Sequence, residues 1–258
     1  MGVINVTPDS FSDGGKFLHP ADAVAHAMRL LESGADILDV GAESTRPGAG
    51  PVAPEEERSR LIPVVKELLQ KVPPECLSID TRREAIALEM ASMGVGYINN
   101  VGGLFSLEVM KNLAVQGCSY IAMQMNGTPE MMQSGPLSRA SAIEAMDRFL
   151  DAACTVFDQA GFAKSRCFVD PGIGFGKSDA ANLALLGSVP RYSERCQVAI
   201  GVSRKSMFGR LLGIEIPEDR DSACKMLEFL LGVIGAKIIR THDVATLAQI
   251  RGTYDSGA

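Results

Sequence analysis

The segment that decides the fold is FVDPGIGFGKSD, residues 168–179. A short apolar run ends on Asp170, three glycines alternate with other residues, and GKS at 176–178 then opens a helical pattern. The segment is close to a Walker-type phosphate loop, which needs Gly, four residues and then Gly-Lys-Ser/Thr. The required first glycine falls on Pro171, so the match fails by one residue. The segment therefore reads as a strand, a glycine loop and a helix start, without the spacing that binds ATP.

The same unit recurs along the chain: a short β-branched run, a polar or glycine-rich loop, and a longer helical pattern. The predicted strands are 2–6, 36–40, 76–80, 96–100, 119–124, 167–170, 198–202 and 236–240. The predicted helices are 20–33, 54–70, 82–92, 106–115, 138–160, 180–188, 219–235 and 243–251. Eight such units predict one α/β domain over residues 1–258, a (β/α)₈ TIM barrel. An open doubly wound sheet is the alternative.

Composition and charge exclude several classes of protein. With 46% hydrophobic and 22% charged residues, the chain has the composition of a soluble globular protein. No apolar run approaches the roughly 20 residues of a membrane span, and no secretory signal is visible. A net charge of −6 without a basic stripe argues against a nucleic-acid partner. Six widely spaced cysteines predict reduced thiols in a cytoplasmic protein.

Polar residues stand at the end of every predicted strand. In a TIM barrel the site is built at the carboxyl ends of the strands, so these side chains should converge on one pocket. They are Asn5, Asp39, Asp80, Asn99, Gln124, Asp170, the run 203–205 and the run 240–243. Any one polar residue in such a place is common, because a loop has to begin there. Eight together predict a pocket lined by hydrogen-bonding groups.

The converging residues divide by the chemistry they suit. One group offers donors and carboxylates for a flat heterocycle with amino and keto edges: Asp80, Asn99, Asp170 and Lys205. The other suits an anion: Asn5, Arg46, Arg240 and His242. Two segments rich in Gly and Pro, NVTPDSFSDGGKF (5–17) and GAESTRPGAGPVAP (41–54), predict long loops after strands 1 and 2. Loops of that length in a compact domain are usually functional or disordered.

Several motifs of the chain together resemble one known protein family. INVTPDSFSDGG, LDVGAESTRPGA, SIDT, YINN, DPGIGFGK, GVSRKS and IIRTHDV follow one another in the order found in dihydropteroate synthases. The resemblance runs from residue 2 to about residue 246. It implies a transferase of folate synthesis that joins 6-hydroxymethyl-7,8-dihydropterin pyrophosphate to p-aminobenzoate by an SN1-like displacement of pyrophosphate. It also implies a Mg²⁺ cofactor, inhibition by sulfonamides and a homodimer.

The resemblance assigns roles to residues of this chain. It implies a pterin site of Asp80, Asn99, Met123, Asp170, Lys205 and Arg240, and a pyrophosphate site of Asn5, Arg46, Arg240 and His242, with Asn5 also on the metal. It implies a p-aminobenzoate site of Thr45, Pro47, Phe175 and Ser206. The residues expected to act directly in catalysis are Arg46, Asp170 and Lys205. Lys177 receives no role in binding a nucleotide.

The chain departs from the family pattern at three points. Asn100 replaces the aspartate of the usual IND, Gln124 replaces the histidine of the usual MH, and the first strand begins within two residues of Met1. Family members usually carry a short segment before that strand, so this segment is expected to be short or missing here. Two alternatives stay open: a pterin-binding methyltransferase-type relative, and a barrel that binds a pterin without catalysis. STRPGA and SRKS disfavour the methyltransferase, which needs neither.

Overall fold

The sheet that organises the molecule contains eight parallel strands in chain order. The structure, a computed structural model, describes residues 1–7, 20–43, 50, 52–127 and 135–256. The strands are β1 (Gly2–Asn5), β2 (Leu38–Gly41), β3 (Leu77–Asp80), β4 (Tyr97–Asn100), β5 (Ser119–Met123), β6 (Cys167–Asp170), β7 (Gln197–Ile200) and β8 (Ala236–Ile239). The prediction of eight strands is confirmed. An open sheet with the changed strand order of a doubly wound fold is excluded, because each strand pairs with the next one in sequence.

The sheet curls until its first strand meets the residues that follow its last. The backbone N–H of Thr241 donates to the carbonyl of Met1 at 3.0 Å, and the N–H of Val3 donates to the carbonyl of Thr241 at 3.3 Å. Gly2 and Thr241 form a parallel bridge. The carboxyl ends of the strands therefore face one common space, which is the arrangement that the position of the polar residues requires.

Helices surround the curled sheet. In the described ranges they are α1 (Pro20–Glu32), α2 (Pro54–Leu68), α3 (Glu84–Ser92), α4 (Leu107–Val115), α5 (Arg139–Ala160), α6 (Asp179–Gly187), α7 (Val189–Ser193), α8 (Ser206–Leu212), α9 (Asp221–Val233) and α10 (Val244–Asp255). Single 3₁₀ turns occupy Pro74–Cys76, Lys164–Arg166 and Glu218–Arg220. No helix in these ranges has the length and the apolar run needed to cross a membrane.

The prediction of the helices was wrong in two places. The predicted helix 180–188 is α6, and a separate helix α7 follows it with a proline at its start. Proline fits the first turn of a helix, where its missing N–H group costs no hydrogen bond, so a new helix can start there. Helix α8, seven residues long, was not predicted because it is too short to show a helical period. The caps predicted for the long helix are confirmed: Ser138 Oγ accepts from Ser141 N, and Gly161 ends α5 at φ +80°.

The strands sort their side chains between two environments. In β2, Leu38 and Val40 belong to the apolar core that the strands share with the helices, while Asp39 between them points to the opposite face. Toward the amino ends that inner face is apolar, because Ile121 and Phe168 pack there in a small cluster with Ala199 and Ile238. The polar side chains lie above this apolar floor, toward the carboxyl ends.

The three glycines of the opening segment each adopt positive φ: +62° at Gly172, +85° at Gly174 and +67° at Gly176. A Cβ on Gly172 would run into the backbone oxygen of Gln124, and one on Gly176 would lie 2.5 Å from the backbone oxygen of Asn126. The chain that follows β5 is therefore packed directly against this loop. Only glycine meets both requirements, which are a left-handed backbone and no side chain.

We predict that Gly172→Ala destabilises the protein more than Gly161→Ala does. Both substitutions place an L-residue at positive φ, at a cost of about 1–2 kcal/mol. Gly161 has nothing within 4 Å of its Cβ position, whereas Gly172 has the Gln124 carbonyl there. Overpacking should add roughly 1–3 kcal/mol for Gly172→Ala. Urea unfolding followed by circular dichroism measures both values, and equal losses of unfolding free energy would contradict the packing described above.

Candidate active site

The structure brings most of the predicted site residues to the carboxyl end of the sheet. Asn5, Asp80, Met123 and Asp170 are the last residues of β1, β3, β5 and β6. Neighbouring strands pair Asp80 with Asn99 and Met123 with Asp170. Lys205 lies at the start of α8 after β7, and Arg240 directly follows β8. Thr45, Arg46 and Pro47 lie outside the described residues.

Arg240 is held between two buried carboxylates. Its Nε donates to Asp39 Oδ2 at 2.6 Å, and its NH2 donates to Asp80 Oδ2 at 3.2 Å. The Asp39 side chain is fully buried, and that of Asp80 is 10% exposed. Two negative groups inside the sheet are costly unless a cation pairs with them, so the three side chains form one unit.

Sequence reasoning placed Asp39 at a strand end but gave it no role. Asp39 Oδ1 accepts from Ser78 Oγ at 2.6 Å, and its Oδ2 accepts from Asn99 Nδ2 at 3.0 Å as well as from Arg240. One carboxylate therefore orients two residues of the predicted pterin site. The available signal was an aspartate between two buried apolar residues of a strand, where a charge is rarely placed without a partner.

The cluster raises the pKa of Asp80. Burial is the main cause, the negative charge of Asp39 adds to it, and Arg240 acts against both; Glu57 and Glu43 add smaller repulsions. The result is a pKa of about 7. For Arg240, burial works against the charge, but Asp39 and Asp80 outweigh it and raise the pKa of the guanidinium. The cation is thus permanent, while the Asp80 proton can be exchanged near neutral pH.

A second pair of opposite charges lies at the ends of β6 and β7. Burial raises the pKa of Asp170, although the N–H of Gly172 donates to its Oδ1 at 2.7 Å and Lys205 attracts it. Burial lowers the pKa of Lys205 to about 8, with Asp170 acting in the opposite direction. Lys205 Nζ lies 4.2 Å from the centre of the Phe175 ring. That distance is typical of a cation–π contact, which joins the predicted pterin and p-aminobenzoate residues.

Lys177 binds the backbone of its own loop and does not serve as a nucleotide-binding lysine. It is buried, and its Nζ donates to the carbonyls of Gln124 and Gly172 at 2.9 Å each and of Phe175 at 3.1 Å. Burial lowers the pKa of Lys177 to about 7, while the charge of Asp170 acts in the opposite direction. The protonated amine has three N–H bonds, and these carbonyls use all of them. The lysine that resembled a Walker residue is therefore committed to the backbone of its own loop.

The remaining predicted residues lie around this centre. The Nδ1 atom of His242 is 2.9 Å from Ser203 Oγ, which also accepts from the His242 N–H. Ser206 is exposed at the first turn of α8, and its Oγ accepts from Arg210 NH1 at 3.1 Å. Arg210 in turn makes two hydrogen bonds to Asp179. This arrangement connects α8 to the start of α6.

The two substituted side chains among the departures from the family pattern differ in their surroundings. Asn100 Nδ2 donates to Tyr120 Oη at 2.7 Å, and its Oδ1 accepts from the Gly102 N–H, so this amide is engaged in the buried core. Gln124 follows β5, and its buried Oε1 has no hydrogen-bond partner among the described residues. The substitution at 100 therefore changes a hydrogen-bonding group in the core, and the one at 124 changes a group beside the glycine loop.

Metal-binding side chains are sparse in this region. Within the described ranges, no group of three or more His, Cys, Asp and Glu side chains could hold a metal ion. Asn5, half-buried at the end of β1, contributes an amide oxygen. Mg²⁺ often takes only one or two protein oxygens and completes its octahedron with water and substrate phosphates. The residues present therefore fit an ion that arrives with a diphosphate, and they do not form a separate metal centre.

Fold and site together define a class: a parallel α/β protein with a cluster of polar and charged side chains at the carboxyl ends of its strands, where such folds bind small molecules. The model of the family described as "Pterin binding enzyme" matches residues 1–242. The chain belongs to this family, and dihydropteroate synthases are among its relatives. It is 40% identical over 247 residues to the dihydropteroate synthase of Escherichia coli strain K12, which covers 95% of this chain and 86% of the relative.

Solved structures agree in fold over the whole chain. The dihydropteroate synthase of Yersinia pestis in a sulfonamide drug complex has a TM-score of 0.88 at 36% identity, covering 100% of this chain and 94% of that one. The Xanthomonas albilineans enzyme with 4-aminobenzoic acid has a TM-score of 0.85 at 38% identity, covering 99% and 91%. The same enzyme with 7,8-dihydropteroate has a TM-score of 0.85 at 35% identity, covering 99% and 92%.

We predict that Asp39→Asn lowers the pKa of Asp80 from its value of about 7. The substitution removes the negative charge that opposes ionisation and leaves Arg240 with Asp80 as its charged partner. Ser78→Ala is the matched control, because it removes a hydrogen bond to Asp39 and keeps the charge. Carboxyl carbon NMR across a pH titration gives the Asp80 pKa in each protein. An Asp80 titration that is unchanged in Asp39→Asn would contradict the coupling.

Proposed function

We propose that this chain is a working dihydropteroate synthase, condensing 6-hydroxymethyl-7,8-dihydropterin pyrophosphate with p-aminobenzoate to give 7,8-dihydropteroate and pyrophosphate. The observation that carries the proposal is the convergence of carboxylates, an amide and two cations at one end of the sheet: Asp80, Asn99, Asp170, Lys205 and Arg240. The relatives support the reaction, because the solved ones hold a substrate, the product or a sulfonamide at a fold shared with this chain.

The pterin ring lies against the carboxyl ends of β3, β4 and β6. A pterin carries an amino group and ring N–H groups beside a keto oxygen, so it needs both acceptors and donors. Asp170 and Asp80 accept from the N–H edge, and Asn99 and Lys205 complete the pattern. Met123, next to Asp170 in the sheet, packs on the face of the ring. The buried carboxylates gain a partner when the ring enters.

The diphosphate lies beside the cations and is the leaving group of the reaction. Arg46, Arg240 and His242 bind its oxygens, and Asn5 contributes an oxygen to a Mg²⁺ ion that travels with the substrate. When bound, that ion neutralises negative charge on the leaving pyrophosphate. Arg240 donates to both Asp39 and Asp80. It can therefore break one of these hydrogen bonds to bind the anion and keep the other. Its charge then stabilises the departing group as the C–O bond breaks.

The second substrate, p-aminobenzoate, binds beside the pterin. Thr45 and Pro47 from the second loop, with Phe175 and Ser206, form the p-aminobenzoate site. Pyrophosphate leaves with the electron pair of the C–O bond, and the electron-rich dihydropterin ring delocalises the positive charge left on its CH₂ group. The amine nitrogen of p-aminobenzoate then forms the C–N bond and releases a proton. No side-chain nucleophile is needed.

The assembly and setting follow from the same family relationship. We place all residues in a single TIM-barrel domain that acts as a homodimer in the cytoplasm and is inhibited by sulfonamides. All six cysteines are free thiols, which supports a reducing compartment. Helix α9 supports an interface, because Met226, Leu230 and Val233 on it are exposed.

We predict pyrophosphate release that depends on p-aminobenzoate, and a loss of at least roughly 100-fold in rate for Arg46→Ala, because this arginine would stabilise the leaving group. Arg148→Ala is the control, since Arg148 lies exposed on α5 and pairs with the exposed Glu144 on the same helix. A coupled assay for pyrophosphate measures both. Tight pterin binding without any release in the unmodified protein would favour a non-catalytic pterin-binding relative.

We predict that chelating Mg²⁺ abolishes release, and that Asn5→Ala raises the Mg²⁺ concentration needed for half-maximal rate. The substitution removes a protein oxygen that would coordinate the ion bound to the diphosphate. Asn112→Ala is the matched control, because Asn112 is exposed on α4. The rate is measured over a Mg²⁺ titration. Identical Mg²⁺ dependence in Asn5→Ala and the unmodified protein would remove Asn5 from the metal.

A further inference from the structure

Lys177 holds together segments from two neighbouring strands. Its Nζ binds the carbonyl of Gln124, which follows β5, and the carbonyls of Gly172 and Phe175 in the loop after β6. The three acceptors surround one ammonium group that is buried from solvent. The geometry resembles the coordination of a small cation by backbone oxygens, with the lysine supplying the charge from within the chain.

A second side chain completes the support of the loop. Asn182 on α6 is fully buried, its Oδ1 accepts from the Gly174 N–H at 2.8 Å, and its Nδ2 donates to the Lys177 carbonyl at 3.3 Å. The backbone of Leu137 bonds to Gly176 and Ser178 on the outer side. Most residues of 172–178 are therefore hydrogen-bonded to a neighbour, and the Lys177 side chain supplies the cationic donor among these described contacts.

The loop so held carries groups that face the pocket. The Gly172 N–H fixes the Asp170 carboxylate, and Phe175 packs with Val101 and Met123 under the Lys205 ammonium. The positive charges of Lys205 and Lys177 both favour the ionised form of Asp170, although burial raises its pKa. A displacement of the loop would therefore move an acceptor for the pterin and the aromatic wall of the second substrate at the same time.

We propose that Lys177 is a positioning residue of the active site: its ammonium fixes the loop 172–176 through three backbone carbonyls, and so sets the places of Asp170 and Phe175. The assignment rests on the proposed function for the identity of the two substrates. The holding of the loop itself does not depend on it, because the hydrogen bonds lie within the chain. The physical basis is that an ion-to-carbonyl hydrogen bond in a buried site is stronger than a neutral one.

The test compares Lys177→Met with the unmodified protein and with Lys111→Met, a control at an exposed position on α4. Methionine keeps much of the lysine volume and removes all three N–H groups. We expect kcat/KM to fall about 10- to 100-fold, with the KM for both substrates raised, as for the loss of charge-assisted hydrogen bonds. Lower kcat in proportion to the folded fraction, with both KM values unchanged, would overturn the proposal.

Two further measurements separate this proposal from the proposed function. Hydrogen–deuterium exchange of the peptide spanning 171–178 needs no substrate. We expect this peptide to exchange faster in Lys177→Met than in the unmodified protein, and at an unchanged rate in Lys111→Met. Lys177→Ala with added propylammonium, which replaces the missing part of the side chain, should regain slow exchange and low KM. This variant also serves if Lys177→Met does not fold.

Unchanged exchange in both Lys177 variants would overturn the proposal even in an active enzyme. An inactive unmodified protein with fast exchange in Lys177→Met would overturn the proposed function alone.

Discussion

The site depends on one constraint: a guanidinium is enclosed by the sheet, and two carboxylates must accompany it. Arg240 pairs with Asp39 and Asp80, and Asp39 also holds Asn99 and Ser78. The pairing sets the orientation of the groups at three strand ends and fixes a positive charge at the mouth of the pocket. The burial and the nearby charges also raise the pKa of the Asp80 carboxyl to about 7. A pKa near the working pH suits a group that must exchange partners when a ligand enters.

Arg240, which is half-buried, and Lys177, which is buried, find their hydrogen-bond partners in different ways, and the difference matches what each residue does. Arg240 binds carboxylates, so it can exchange one of them for an incoming anion without leaving a charge alone. Lys177 binds three backbone carbonyls, which cannot leave, so its ammonium is confined to the loop it supports. Lys205 lies between these cases, with the Asp170 charge near it and the Phe175 ring at 4.2 Å. Permanent and exchangeable contacts thus lie side by side in one pocket.

Much of this arrangement was accessible from the sequence, for reasons that can be stated. The strand period and the polar residue after each strand placed Asp80, Asn99, Asp170 and Arg240 at one end of the sheet, because parallel strands share their carboxyl edge. The importance of Asp39 was missed, since a strand pattern gives no information about which charge lies opposite it across 201 residues. The role of Lys177 was equally hidden: its partners are backbone carbonyls, which every residue has. Helix α8 was not predicted, because seven residues are too few to show a helical pattern of apolar positions.

The most direct test of the account is a crystal structure of the protein with 7,8-dihydropteroate bound. We expect the pterin ring between Asp80, Asn99 and Asp170, with the benzoate end beside Phe175 and Ser206 and the 172–176 loop held by Lys177. This expectation would be contradicted by product bound elsewhere, such as in the cavity of about 600 Å³ at the amino end of the sheet lined by Ile37, Phe229 and Tyr254. Product in that cavity would mean that the polar cluster at the carboxyl ends stabilises the fold and does not form the substrate site.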